Sequence, residues 1–138
     1  MVRQDQRTKS RFELADKALD LATYTIDITH NEKIFDPKYQ RVIDEIVYYA
    51  TVIYHSIRVA NDINVKGGEK RKAEARTKLQ YDALDCIEPL KSDIMIAKKL
   101  FHLKTKRVCY WTSQVDTIKE MLSGWIQSDK EKYRKLGM

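Results

Sequence analysis

A chain of 138 residues, 43% hydrophobic and 33% charged, is long enough for one domain with a core of its own and too apolar to belong with disordered chains. Only four Gly and two Pro occur, so loops are few and the elements between them long. No apolar run nears the ~20 residues needed to cross a bilayer, and Met1–Asp5 lacks the apolar core of a signal peptide, which predicts a cytoplasmic protein with no membrane partner.

Residues 1–10, with Arg3, Arg7 and Lys9, predict a frayed basic arm. Ser10 offers an N-cap with Glu13 as its capping-box partner. A first helix then runs to about His30, with Leu14, Ala18, Leu21, Thr25 and Ile28 on one face. Asp36-Pro37 opens the second helix, Asp as cap and Pro at the first helical position.

The second helix runs to about Asp62. Tyr39, Ile43, Ile46, Ala50, Ile53, Ile57 and Ala60 recur at steps of four and three, the rhythm of a helix packed against other helices. The run from Val47 to Tyr54 covers its whole circumference with apolar and aromatic residues. That surplus predicts a second buried side, and Val47, Tyr48, Val52 and Tyr54 are the candidate oligomer interface.

Gly67-Gly68 marks the clearest break. A third helix is expected over about Lys70 to Leu103, its stripe Leu79, Ala83, Ile87, Leu90, Ile94, Ala97 and Phe101 keeping phase across Pro89. The spacing predicts a kink near Asp85 to Pro89, not two helices. Thr105 is the candidate cap of a fourth helix carrying Val108, Trp111, Val115, Ile118, Leu122 and Trp125. That helix is expected to fade after Asp129 into a basic tail, residues 129–138. Cys86 and Cys109 lie in helical patterns without a CxxC pair and read as buried small hydrophobes. Four helices joined by short loops predict a single all-α domain over 1–138, an antiparallel up-down-up-down four-helix bundle.

The net charge is +6 and the pI near 9.2. In that topology one end gathers residues 1–11, 58–78 and 127–138, with 15 Lys and Arg against six Asp and Glu. The other end, residues 29–41 and 98–107, has eight against two. The helix macrodipole explains cations at helix C-termini but not Lys70, Arg71, Lys72 and Arg76 at a helix start, where cations are disfavoured. These four, with Arg7 and Arg11, form the first candidate nucleic-acid-binding cluster. Lys104, Lys106 and Arg107 form the second.

Chemistry is sparse. The Glu-x-x-His pairs of di-metal bundles are missing, and His30, His55 and His102 are scattered. Phosphate loops, nucleophile elbows and zinc-protease motifs are also missing. The reading is a non-enzyme with no catalytic residue, no metal and no cofactor. Tyr48, Tyr49, Tyr54, Tyr110 and Trp111 sit in apolar context and read as core or subunit contact rather than base-stacking platforms.

Two stretches resemble a known group. Ser56-Ile57 followed by Ala60-Asn61-Asp62-Ile63 is similar to the Ser-Ile-x-x-Asn-Ile signature of the S23 ribosomal-associated proteins, with altered spacing and without the Glu-Gly that ends it. Met121-Leu122-Ser123-Gly124-Trp125-Ile126 resembles the Gly-Ser-Trp-Ile stretch of the accessory variability determinants encoded beside the reverse transcriptases of diversity-generating retroelements. The resemblance covers about residues 12–128, and length and charge agree better with the accessory determinants. It implies a basic homopentamer, without catalytic residues, that binds the reverse transcriptase and RNA or cDNA and supports mutagenic reverse transcription. The other reading is an S23-like structural or protein-interaction bundle without nucleic-acid binding.

Overall fold

The computed structural model describes the backbone of residues 4–138 and the side chains of residues 11–138. The described residues are helical, with no strand among them. Their order is α1 (Gln4–Thr29), a 3-10 turn (Pro37–Tyr39), α2 (Gln40–Asp62), α3 (Lys70–Asp85), α4 (Ile87–Leu100) and α5 (Thr105–Lys135).

α1 begins at Gln4, so the expected arm is helical from there and Ser10 lies inside the helix rather than capping it. Asp36 does act as a cap: its carboxylate accepts from the Lys38 amide, and Pro37 opens the 3-10 turn that leads into α2. The connection to α3 turns at Gly68, whose φ of 86° is open to glycine and strained for other residues. The Glu69 amide donates to the Lys66 carbonyl across that turn.

The expected single third helix is two. Pro89 has no N–H, and its ring crowds the carbonyl four residues back, at Asp85. α3 stops there, and Cys86 separates it from α4. Pro89 then falls in the first turn of α4, where a missing amide proton costs nothing. The stripe nevertheless keeps phase, with Ala83, Ile87, Leu90, Ile94 and Ala97 fully buried on both sides of the break.

α4 ends with the Leu103 amide donating to the Lys98 carbonyl and His102 in the left-handed region at φ 54°. This is the Schellman stop, usually built on glycine. α5 starts at Thr105 with Lys104 at the cap, and Thr105 makes no capping bond.

The core is what the helical stripes supply. Ile43, Ile46, Ala50, Ile53, Ile57 and Ala60 of α2 are all buried, as are Val108, Trp111, Val115, Ile118, Leu122 and Trp125 of α5. Burying each large side chain stabilises by about 1.5–3 kcal/mol. α2 packs on α1, α3 and α4, and α5 packs on the same three. Among the described residues α1 touches neither α3 nor α4, so α1 and the α3–α4 rod stand on opposite sides of the bundle.

Level matching between helices comes from single bonds. The Asn61 amide donates to the Arg11 carbonyl (3.1 Å) at one end of the α1–α2 pair. Trp111 Nε1 donates to Thr25 Oγ1 (3.1 Å) between α5 and α1. Lys91 pairs with Asp116 and Lys119 with Glu88, both at 2.8 Å, between α4 and α5. Near the α1–α2 connection Phe35 plugs the bundle, its ring 4.9 Å from Phe101 and 6.3 Å from Trp111.

Candidate nucleic-acid interface

Arg76 corrects the expected site. It is 4% exposed and lies on the inner face of α3, in step with Ala73, Gln80 and Ala83. Its Nε and Nη2 donate to the two Asp129 oxygens at 2.8 Å each, and Nη1 donates to the Ile63 carbonyl at 3.3 Å. Gln80 donates to the same carboxylate at 2.7 Å, and Tyr133 donates more weakly at 3.5 Å. The guanidinium also stands 5.0 Å from the centre of the Trp125 ring. A guanidinium committed to a carboxylate in this way presents no charge to a phosphate, so Arg76 is a structural residue.

This network also explains why α5 does not fade after Asp129. Asp129 and Tyr133 are both buried, and Tyr133 joins Val65 and Ala73 in a small second core. The helix therefore continues to Lys135. Burial, then the negative charge of Asp129, pushes the Tyr133 hydroxyl up to about 12. Arg11 is half-buried beside the network, and burial followed by the positive charge of Arg76 lowers its pKa.

The staple gathers the surface that lies around it. It fixes the start of α3, the Ile63–Glu69 connection and the last turns of α5 together. Lys70, Arg71 and Lys72 are exposed on the first turn of α3. Lys72 is bridged to Glu69 at 2.9 Å, Arg58 to Asp62, and Arg134 to Glu131 at 2.6 Å. Among the described residues Lys66, Lys70, Arg71, Lys130, Lys132 and Lys135 make no ion pair, and only Lys132 of these is half-buried. The side chain of Arg7 lies outside the described residues.

The second cluster is at the opposite end. Lys104 and Lys106 are exposed, whereas Arg107 is half-buried and borders a hollow shared with Asp27, His30 and Asn31 of α1 and its end. The first and second clusters are therefore separate surfaces.

The α2 surplus is partly used inside the chain. Val47 and Tyr54 are half-buried and pack on the core, and Val52 is half-buried. Tyr48, at 60% exposed, is the open one of the four. Of the other aromatics, Trp111 is fully buried and Tyr110 exposed. Cys109 is exposed rather than buried, because Val108 and Trp111 take the inward positions of that turn.

One further charged group is buried. Asp93 on α4 faces Glu45 of α2 with its Oδ2 unpartnered. Burial, then the contact with Glu45, pushes its pKa up to about 6.

The chain matches no family model, no curated protein and no solved structure.

Sequence periodicity held a signal for Arg76 and Asp129. Arg76 falls on the buried register of α3, and Asp129 on the register Leu122, Ile126, Asp129, Tyr133 of α5.

Proposed function

We propose that this chain is a non-enzymatic, self-associating helical bundle that binds nucleic acid through the end built by Ile63–Arg71 and Lys130–Lys135. The observation that carries this reading is the set of cations Lys66, Lys70, Arg71, Lys130, Lys132 and Lys135, which make no ion pair among the described residues and are held together by a buried staple. Cations crowded at a helix start raise local electrostatic energy, and a polyanion relieves it.

Within this proposal the helices run up-down-up-down and antiparallel. Support comes from the pairs that join rising numbers on one helix to falling numbers on its neighbour: Arg76–Asp129, Glu88–Lys119 and Lys91–Asp116 between α3–α4 and α5. Resemblance of Met121–Ile126 to the accessory variability determinants supplies the specific setting. There the chain would be a cytoplasmic partner of a retroelement reverse transcriptase and its RNA or cDNA, with a pentamer as the assembly.

The test is binding of a structured RNA by gel shift or anisotropy. Lys70→Glu with Arg71→Glu should weaken binding by roughly tenfold or more and leave the helical signal intact. Unchanged affinity in that variant removes the assigned surface. A chain that folds and assembles normally but binds no RNA or DNA supports the protein-interaction bundle instead. The exposed Leu19 and Ile26 of α1 and Met95 and Ile96 of α4 favour that second reading.

A further inference from the structure

Buried carboxylates are ordinarily neutralised by a donor or a cation. Asp93 of α4 is 9% exposed, and its Oδ2 is closed off from solvent with no hydrogen-bond partner. It lies within hydrogen-bonding reach of Glu45 of α2, whose side chain is exposed. Two carboxylates can only accept, so their contact calls for a proton or a cation.

The chain brings no cation to this pair among the described residues. α4 packs on α2, α3 and α5. From α2 come Glu45 and Tyr49, whose hydroxyl pKa is raised by burial and then by the charges of Glu45 and Asp93. Where α3 meets α4, Asp82 and Asp85 add only negative charge, felt at Cys86. Lys91 is engaged by Asp116 of α5. Arg41, one turn before Glu45, is exposed and makes no ion pair among the described residues. A proton closes the pair from within, and it leaves as pH rises past about 6.

The surroundings suit an organic cation. Tyr48, three residues from Glu45 on α2, is 60% exposed and stands edge-on to Tyr49 with ring centres 5.6 Å apart. An exposed ring beside carboxylates attracts a cation with an apolar stem. Ser92 and Ile96, which flank Asp93 on α4, line a shallow hollow of about 750 Å³ with Tyr39 and Met95. Its cations, Lys99 and His102, lie toward the end of α4 and beyond it. A metal ion is less well served: among the described residues no group of three His, Cys, Asp or Glu is able to hold one.

We infer that Glu45 and Asp93 form a binding site for a small organic cation, an alkyl guanidinium or alkylammonium group, with its stem against Tyr48 and Ile96. The site is separate from the basic end and does not depend on nucleic-acid binding there. Its ligand group comes from a free amine or from an arginine or lysine side chain of another protein.

Carboxyl-carbon NMR of the full chain, titrated with agmatine at about pH 7.5, tests this. Saturable shifts at Glu45 and Asp93 are expected, with the titration of Asp93 moved to lower pH. At about pH 5 the proton occupies the pair, and affinity should fall about tenfold. Glu45→Gln and Asp93→Asn should each lose at least about tenfold in affinity. Sodium chloride at equal ionic strength should give no saturable shift. A blocked Gly-Arg-Gly peptide that binds as well as agmatine supports a protein side chain as the source, whereas binding of agmatine alone supports a free amine. No saturation by either probe up to about 50 mM overturns the inference, as does unchanged affinity in Glu45→Gln. Saturation by Mg²⁺ and not by agmatine overturns the organic-cation assignment. Agmatine binding seen only in Arg41→Ala overturns it too, because the chain's own guanidinium then fills the site.

Discussion

Arg76 and Asp129, 53 residues apart in sequence, meet in a two-pronged ion pair with both nitrogen–oxygen distances at 2.8 Å. The pair ties α3 to α5, and through the Ile63 carbonyl it ties in the connection from α2. Its position turns a loop and two helix ends into one surface. The pair itself is buried, so it shapes the basic end without contributing free charge to it.

Removing one partner leaves the other charged and buried. Asp129→Asn should destabilise the fold by roughly 3–5 kcal/mol, read as a lower urea midpoint. Replacing both, Arg76→Met with Asp129→Leu, should cost far less, because no uncompensated charge remains. Equal losses in the two variants would show that packing, not charge, carries the effect. Arg76→Glu is expected to lose structure first, so its RNA binding is no measure of the surface.

How much of this was legible in the sequence follows from what each residue does. The buried stripes Ile43–Ala60 and Val108–Trp125 came directly from periodicity, because core burial depends on position along one helix. Arg76 shares the buried register of Ala73, Gln80 and Ala83, but its charge hides it among Lys70, Arg71 and Lys72, and the carboxylate that neutralises it lies far along the chain. The break at Cys86 is invisible to periodicity for a local reason: an unbroken stripe reports which face is buried, not whether the backbone bonds continue. The end of α5 is hidden in the same way: Asp129 and Tyr133 continue the register of Leu122 and Ile126, but their polar groups read as tail until Arg76 and Val65 are set against them.

Asp93 makes stability depend on pH. Its folded pKa of about 6 lies above the ordinary carboxyl value. Below about pH 4 both folded and unfolded chains hold the proton, and the contribution is fully present. As pH rises toward 6 the unfolded chain releases its proton first, and stability falls. Asp93→Asn keeps a donor toward Glu45 and carries no charge. It should raise stability at pH 7.5 by on the order of 2 kcal/mol, with the gain vanishing near pH 4. Urea melts at the two pH values measure the difference.

Thr25 supplies the acceptor for the buried Trp111 indole. Thr25→Val preserves shape and leaves that N–H without a partner, at a cost of about 1–3 kcal/mol. The check is a thermal melt, with Thr25→Ser as the conservative control expected to keep most of the stability.

The two thiols should differ in reactivity. Cys109 is exposed, whereas Cys86 is half-buried, and burial followed by the charge of Asp85 raises its pKa. A thiol reagent under native conditions should label Cys109 first, with Cys86 lagging until the chain is unfolded. Mass spectrometry of the labelled chain distinguishes the two sites.

The central claim is that the end held by Arg76–Asp129 binds nucleic acid by charge. The most direct measurement is the affinity for a structured RNA over a salt series from about 50 to about 300 mM. Log affinity is expected to fall linearly with log salt, with a slope of about −3 to −4, made shallower by about one for each of Lys70 and Arg71 replaced by Gln. Binding that does not change with salt, or no binding at the lowest salt, would contradict it.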